Sequence, residues 1–329
     1  MKKYVIYSVV FIVTLVSCGG DQATQQVTGD TVLDDYNKLI AQDDDNAKLY
    51  ADRGKYLYEQ ESYDAAIKDL KSAISIDSLQ PTFYSLLSDI YLDYYQSKNA
   101  LSTLKLAEKT FPNHINTKLK LSEDYLILKD YENALISAHK VLNLDANNAE
   151  AYFMIGLINL ENDNQENAIK AFTKATELEP ELTDAWIMLG DLYHAKNNPQ
   201  AIDYYNAALE VDRENISALH SKAYYLQNIG EVDEAIEIYN QIHRLDRQYE
   251  PAYLNSGILY LSTDSIQAAY HKFNMLVNNN PTSAQGYYYR GIANELKGKA
   301  DLALEDYKTA LKFDPKHEKA SQAIAAYDQ

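Results

Sequence analysis

Residues 186–201 read WIMLGDLYHAKNNPQA, a stretch in which the small residue Gly190 precedes Ala201 by eleven positions. The same pair recurs along the chain, with alanines 34 residues apart except for one interval of 33, and elsewhere a small residue lies twelve positions before each alanine. The alanines are Ala66, Ala100, Ala134, Ala168, Ala201, Ala235, Ala269 and Ala303, and the small residues are Gly54, Ser88, Ser122, Gly156, Gly190, Ala223, Gly257 and Gly291. Two positions locked to one such period predict a stacked repeat array, in which each unit buries its apolar face against its neighbours.

Each unit has the pattern of two amphipathic helices. In the fourth unit, Tyr152, Ile155 and Gly156 fall on one helical face, and Ala168 and Phe172 share a face of the following segment. Glycine inside a helix costs roughly 1 kcal/mol relative to alanine. The recurring glycine therefore indicates that the two helices of a unit approach each other closely.

The first eight residues of the quoted stretch, Trp186–Tyr193, match the pattern W-x2-L-G-x2-Y. Five other units have tyrosine at the tryptophan position, whereas Lys118 and Leu219 depart from the pattern in the third and sixth units. On these residues the chain resembles the tetratricopeptide repeat family. The resemblance implies an all-α fold, a right-handed α-solenoid of eight tetratricopeptide helix pairs closed by a C-terminal capping helix.

The predicted organisation has four parts. Residues 1–17 are a lipoprotein signal peptide, 18–46 a lipidated cysteine with a flexible acidic tether and a short helix, 47–317 the repeats, and 318–329 a capping helix. The repeats are 47–80, 81–114, 115–148, 149–182, 183–215, 216–249, 250–283 and 284–317. A helix at each end would shield the exposed apolar face of the terminal repeat.

The N-terminus has the features of an export signal. Lys2 and Lys3 precede an apolar run over 4–16, which is shorter than the roughly 20 residues that a membrane-spanning helix needs. The sequence LVSCG at 15–19 resembles a bacterial lipobox, which implies that Cys18 becomes the first mature residue and carries a lipid. The alternative is an ordinary secretory signal with an incidental cysteine. Because Cys18 is the only cysteine, the chain has no internal disulfide.

A lipid-anchored protein of the bacterial cell envelope is therefore expected. Gly19, where some two-membrane bacteria would place aspartate to retain a lipoprotein in the inner membrane, favours the outer membrane, facing the periplasm. We expect contact with the membrane through the lipid anchor alone, since two or more acyl chains suffice for stable anchoring.

The charge of the chain limits its partners. The formal net charge is −18, and loss of Lys2 and Lys3 with the signal would lower it to −20. Nucleic-acid binding needs a basic patch, and no run of Lys or Arg is longer than a pair. We expect protein partners, bound as peptide or helix segments, and no nucleic acid.

The family resemblance also implies a concave groove lined by the first helix of each unit. In the early units the corresponding positions are charged, with Lys48, Lys55, Asp89, Asp93 and Glu123. In the later units they are mostly apolar, and the predicted partner-binding residues are Phe153, Leu157, Leu160, Ile187, Tyr224, Leu254, Ile258, Leu261, Tyr288 and Ile292. An apolar strip of this extent indicates a partner site. Burial of these side chains between neighbouring helices is the alternative.

The sequence favours a non-enzymatic protein. It contains no Gly-rich phosphate loop, no H-E-x-x-H and no G-x-S-x-G, and we predict no catalytic residues and no cofactor. Asp191, His194 and His220 are the strongest metal candidates, but three polar groups in a groove are common, and we predict no metal site. The predicted function is a scaffold or adaptor for envelope proteins. A self-associating structural envelope protein, such as a homodimer, is the alternative, and an enzyme comes third.

Overall fold

The computed structural model describes residues 29–327. The predicted signal peptide, the lipidation site Cys18 and most of the tether lie outside the described residues, as do residues 328 and 329. Among the helices that the structure describes, none combines the length and the apolar character needed to cross a membrane.

Residues 29–327 form eighteen α-helices and no strand, which confirms the predicted all-α repeat solenoid. The helices are α1 Thr31–Gln42, α2 Ala47–Glu59, α3 Tyr63–Ile76, α4 Pro81–Asp93, α5 Ser97–Thr110, α6 Ile115–Ile127, α7 Tyr131–Leu144, α8 Ala149–Glu161, α9 Gln165–Leu178, α10 Thr183–Ala195, α11 Ala201–Val211, α12 Ile216–Ile229, α13 Val232–Leu245, α14 Glu250–Ser262, α15 Ile266–Asn279, α16 Ala284–Leu296, α17 Ala300–Phe313 and α18 Glu318–Tyr327. The chain divides into two compact units, Met1–Thr110 and Phe111–Gln329. Every repeat from α2–α3 to α16–α17 is a packed pair of helices.

In five of the eight repeats a glycine of the first helix lies against a large side chain of the second. A Cβ atom built on Gly156 would come within 2.4 Å of Cε1 of Phe172, and one on Gly190 within 2.4 Å of Cε1 of Tyr205. The same conflict arises at Gly257 with Phe273, at Gly291 with Tyr307 and at Gly54 with Leu70. The predicted close approach is therefore confirmed, and its cause is a ring or a leucine seated directly on the glycine.

The recurring alanine lies four residues before this large side chain, on the same face of the second helix. All eight of these alanines are completely buried. In the third repeat, the small residue Ser122 instead donates a hydrogen bond from Oγ to the carbonyl of Ala134 at 2.8 Å, which satisfies its hydroxyl inside the pair. The two positions that define the period in the sequence thus both lie in the interface of the helix pair.

A left-handed residue ends every first helix. In the fourth repeat, Asp163 has φ 56°, and the amide of Asn164 donates to the carbonyl of Asn159 at 2.8 Å. This pattern is the Schellman motif, which satisfies carbonyls at the end of a helix. The left-handed residues are Glu61, Tyr95, Lys129, Asp163, Asn197, Gly230, Asp264 and Gly298. Only two of the eight are glycine, so the polar turns of the sequence adopt this conformation mainly without it.

The first and last repeats share an arginine clamp. Arg290 donates from Nη2 to Oδ1 of Asp306 at 2.6 Å and from Nη1 to Oδ1 of Asn274 at 3.0 Å. In the first repeat, Arg53 makes the same bonds to Asp69 and Asn37. Each arginine thereby ties its own helix pair to the helix that precedes the pair. Bidentate pairing of this kind adds geometric specificity as well as energy.

We predict that Ala168→Glu unfolds the repeats around α8–α10 while other repeats of the array persist. Each helix pair is held by its neighbours alone, and a carboxylate in the space of a fully buried alanine costs on the order of several kcal/mol. Hydrogen exchange resolved by segment would show lost protection centred on α9. The control is Asn167→Glu, which places the same charge at the adjacent exposed position. Uniform loss of protection from α2 to α17 would contradict a one-dimensional stack.

Candidate functional site

The predicted groove residues lie on first helices of the second compact unit. Helix α8 holds three of them, α10 one, α12 one, α14 three and α16 two. Tyr224 is exposed over 45% of its surface, and eight others are half-buried, namely Phe153, Leu157, Leu160, Leu254, Ile258, Leu261, Tyr288 and Ile292. Nine of the ten residues therefore present some surface for a partner.

Ile187 is a correction to the predicted groove, because its side chain is only 4% exposed. It packs in a cluster with Ala208 of α11 and Ala218 of α12. These two alanines leave space between the helices that the isoleucine fills. At this position the alternative of burial against neighbouring helices is correct, and Ile187 belongs to the core.

The parts of the apolar strip on α8 and on α14 rest on different core clusters. Phe153, Leu157 and Leu160 pack against a cluster that includes Phe172 and Leu189. Leu254, Ile258 and Leu261 pack against Ala269, Phe273 and Ala293. The large side chains that sit on the repeat glycines thus also support the groove surface from below. These six groove side chains therefore both stabilise the fold and present part of their surface to solvent.

The middle of the strip is aromatic and polar. The ring of Tyr224 lies parallel to the imidazole of His220, with centroids 6.4 Å apart and an interplanar angle of 11°, and 5.8 Å from the imidazole of His194. Nε2 of His194 lies 3.0 Å from Nδ2 of Asn228, so that α12 holds the imidazole of His194 in place. The exposed ring of Tyr224 is therefore supported by the imidazoles of His194 and His220.

His220 has further neighbours that the sequence analysis missed. Tyr249 lies edge-on to it with centroids 5.6 Å apart, and Nδ2 of Asn255 lies 3.4 Å from its Nε2. Burial lowers the pKa of His220, while Asp191 opposes this effect, so the imidazole is neutral near pH 7. Tyr249 was missed because it is the last residue of its repeat. It therefore lies outside the first-helix positions from which the groove was predicted.

The candidate metal ligands do not form a metal site. Asp191 accepts a hydrogen bond from the hydroxyl of Tyr205 at 2.7 Å, and His194 and His220 interact with different asparagines. Within residues 29–327 no group of three or more His, Cys, Asp or Glu side chains is placed to hold a metal ion.

The charged positions of the early repeats make local pairs. Lys48 forms an ion pair with Asp52 at 2.6 Å, and the hydroxyl of Tyr58 donates to Asp93. In the second compact unit, Lys120 pairs with Glu123 at 2.9 Å. Ion pairs at such exposed positions contribute little to stability. Their effect is a polar surface that contrasts with the apolar strip.

Comparison with known proteins agrees with this architecture. A tetratricopeptide repeat family model matches residues 47–78, 149–182 and 216–249, and a second tetratricopeptide repeat model matches residues 166–216. The chain is 28% identical over 219 residues to anaphase-promoting complex subunit 7 of Dictyostelium discoideum, a match that covers 66% of this chain and 37% of that protein. It is 24% identical over 270 residues to human protein O-mannosyl-transferase TMTC3, covering 80% of this chain and 26% of that protein.

The chain thus spans well under half the length of these two relatives. Among solved structures, PilW, described as a widely conserved type IV pilus biogenesis factor, aligns with a TM-score of 0.53 at 19% identity, covering 64% of this chain and 98% of PilW. At this identity the likeness concerns the fold alone. The chain therefore contains tetratricopeptide repeats, units that mediate protein–protein interactions, arranged as an all-α solenoid.

Proposed function

We propose that this chain is a non-enzymatic scaffold or adaptor of the bacterial cell envelope, anchored by a lipid on Cys18, that binds partner proteins through the groove on α8, α12, α14 and α16. The observation that carries the proposal is the exposed ring of Tyr224 between two half-exposed apolar ridges. Exposed aromatic side chains at the centre of an apolar surface are the usual anchors of protein interfaces.

The form of the groove suits an extended peptide or an amphipathic helix. Ridges of three apolar side chains on α8 and on α14 flank Tyr224, so a partner segment would contact several helices in succession. The acidic character of the chain, with a net charge of −18, favours a segment with basic flanks. The partner's apolar side chains would supply most of the affinity and its charges most of the orientation.

The proposed absence of catalysis rests on the site itself. The polar side chains of the groove are engaged with one another, as in the contacts of Asp191 with Tyr205 and of His220 with Asn255. One relative in sequence, TMTC3, is named as a transferase, but this chain spans 26% of its length. We propose that the repeats act as a binding surface in the chain described here.

The lipid anchor and the envelope location rest on the lipobox resemblance. The acidic chain would be repelled by an anionic lipid surface, so a covalent lipid on Cys18 is the attachment that the sequence offers. The residue after the cysteine, Gly19, supports the outer membrane facing the periplasm.

We predict that Cys18→Ala leaves the protein either uncleaved or in the soluble fraction, because the variant has no other cysteine to accept the lipid. Fractionation of cells and the apparent mass of the protein measure this outcome. Recovery of a mature-sized variant in the membrane would contradict the lipoprotein assignment. The groove assignment does not depend on this experiment.

We predict that Tyr224→Ser weakens partner binding by about 2 kcal/mol or more while the melting temperature stays close to that of the parent, because the ring is largely exposed. Leu254 is a poorer probe, since it packs against the Phe273 cluster and its loss would also reduce stability. The matched control is Leu302→Ser on α17, a side chain that is likewise 45% exposed but lies on a second helix.

The partner for this measurement can be found with a photo-crosslinking amino acid placed at position 224 or, as the control, at position 302. The proposal expects one protein crosslinked from position 224 and not from 302, and an affinity that the Tyr224→Ser change reduces. Crosslinks between copies of this chain, with a dimer in light scattering, would support the self-associating alternative. Equal crosslinking from positions 224 and 302 would contradict the proposal that the groove is the binding site.

A further inference from the structure

Away from the groove, second helices α13 and α15 border a pocket of about 650 Å³ with a basic lining. Its wall includes Arg244, Arg247 and Lys272 together with two histidines, and none of its lining side chains is a carboxylate. The whole chain has 30 Lys and Arg residues against 48 Asp and Glu residues. Three cations around one acid-free pocket are therefore unusual for this protein.

The cations of the pocket are not used in ion pairs. Arg53 and Arg290 each pair with an aspartate, whereas Arg244 and Arg247 form no ion pair with any residue that the structure describes. Lys272 donates hydrogen bonds from Nζ to Oδ1 of Asn240 and to Nδ1 of His243, which are neutral groups. The three cations thus line the pocket with no carboxylate among the other lining side chains.

The arrangement of Lys272 costs stability. Burial and the neighbouring Arg244 lower the pKa of the lysine, and burial together with Lys272 lowers the pKa of His243 to about 4. His243 is held rigidly, because its ring is stacked on that of Tyr253 with centroids 3.8 Å apart and planes at 10°. A negatively charged ligand would relieve the repulsion between the cations and hydrogen-bond to groups that are already fixed in place.

The repeat period shows that the fold does not require these residues. The positions one repeat earlier than His243, Arg244 and Lys272 hold Leu209, Glu210 and Ile238, and the positions one repeat later hold Val277, Asn278 and Asp306. In these two adjacent repeats only Arg247 has a cationic counterpart, Arg213. The basic combination occurs at one junction of the array, and the adjacent repeats hold apolar, acidic or amide side chains at the positions of His243, Arg244 and Lys272.

From this geometry we infer that the pocket between α13 and α15 binds a phosphate group carried by a small molecule. A phosphate monoester carries about −1.5 to −2 charges at pH 7 and three strong acceptor oxygens, which matches several converging donors better than a single carboxylate does. Arginine binds phosphate through parallel N–H donors, and lysine adds a point charge. The pocket volume leaves room for the group that bears the phosphate. The inference goes beyond the proposed groove function and does not depend on it.

The test is calorimetric titration of the full chain with inorganic phosphate, glycerol 3-phosphate and dihexanoyl phosphatidic acid, the last below its micelle concentration. We expect saturable 1:1 binding of a phosphate monoester. Tighter binding of the short-chain lipid would identify a lipid headgroup as the source of the phosphate. Equal binding of the two monoesters would identify a soluble phosphate ester.

The decisive variant is Arg244→Gln combined with Arg247→Gln. Both side chains are exposed, so we expect the fold to stay intact. We expect this pair to weaken phosphate binding by about tenfold or more, since each arginine contributes charge-assisted hydrogen bonds. Lys272→Met, on α15, is a second test, and we expect it to weaken phosphate binding as well. Arg213→Gln is the matched control, at the equivalent position one repeat earlier, and Tyr224→Ser in the groove is a second control; both should bind phosphate as the parent does.

Absence of saturable binding for all three phosphate compounds would overturn the inference. Undiminished binding by the double arginine variant, or an equal loss in Arg213→Gln, would show that the pocket is not the site. Equal affinity for succinate would overturn the assignment to phosphate. Tyr224→Ser is measured in the same phosphate titration. Loss of the phosphate proposal can therefore be distinguished from loss of the groove proposal, which is tested by partner binding.

Discussion

The contact on which the helix pairing depends is the one between a small residue on the first helix of a repeat and the second helix, and in five repeats a glycine meets a large side chain there. In four repeats an aromatic ring occupies the space where a Cβ would stand on a glycine, and in the first repeat a leucine does so. The rings fix how closely and in what register the helices pair. The buried alanine one turn earlier lets the backbones approach. The buried alanine recurs in all eight repeats, so the helix pairs follow one period.

The contact between the paired helices determines which positions of the first helix can form a binding surface. Since the small residue of the first helix faces its own second helix, other positions of the first helix are free to form a surface. The groove side chains lie on Phe172 and Phe273, the same rings that seat on Gly156 and Gly257. The result is a half-buried apolar strip with an exposed tyrosine at its centre. The second helices present a different surface, and between α13 and α15 that surface carries the basic pocket.

Much of the fold was predictable because the same helix-pair pattern recurs in eight repeats of the sequence. The recurring alanines and glycines were sufficient to predict the helix pairs. A position that must hold a small residue in every repeat produces a periodic pattern in the sequence. The left-handed turn residues were harder to predict, because Asp163 and Lys129 adopt this conformation without being glycine.

The candidate site was predictable only in part, because single positions depend on neighbours that the period does not show. Ile187 occupies a groove position by register, but Ala208 and Ala218 give it a place in the core. Lys272 and Arg244 belong to different repeats, and only the packing of α13 beside α15 brings them to one pocket. Residue pairs that meet across repeats are therefore seen in the structure and not in the repeat pattern.

The most direct test of the central contact is a double-mutant cycle between Gly156→Ala and Phe172→Val, followed by native-state hydrogen exchange of α8 and α9. Alanine has the higher helix propensity by about 1 kcal/mol, but its methyl group would stand 2.4 Å from the ring of Phe172. We predict that Gly156→Ala lowers the free energy of unfolding of these helices in the parent, by roughly 1–3 kcal/mol, and raises it in the Phe172→Val background. A stabilising effect of the same size in both backgrounds would contradict the account, because the glycine would then have no ring to accommodate.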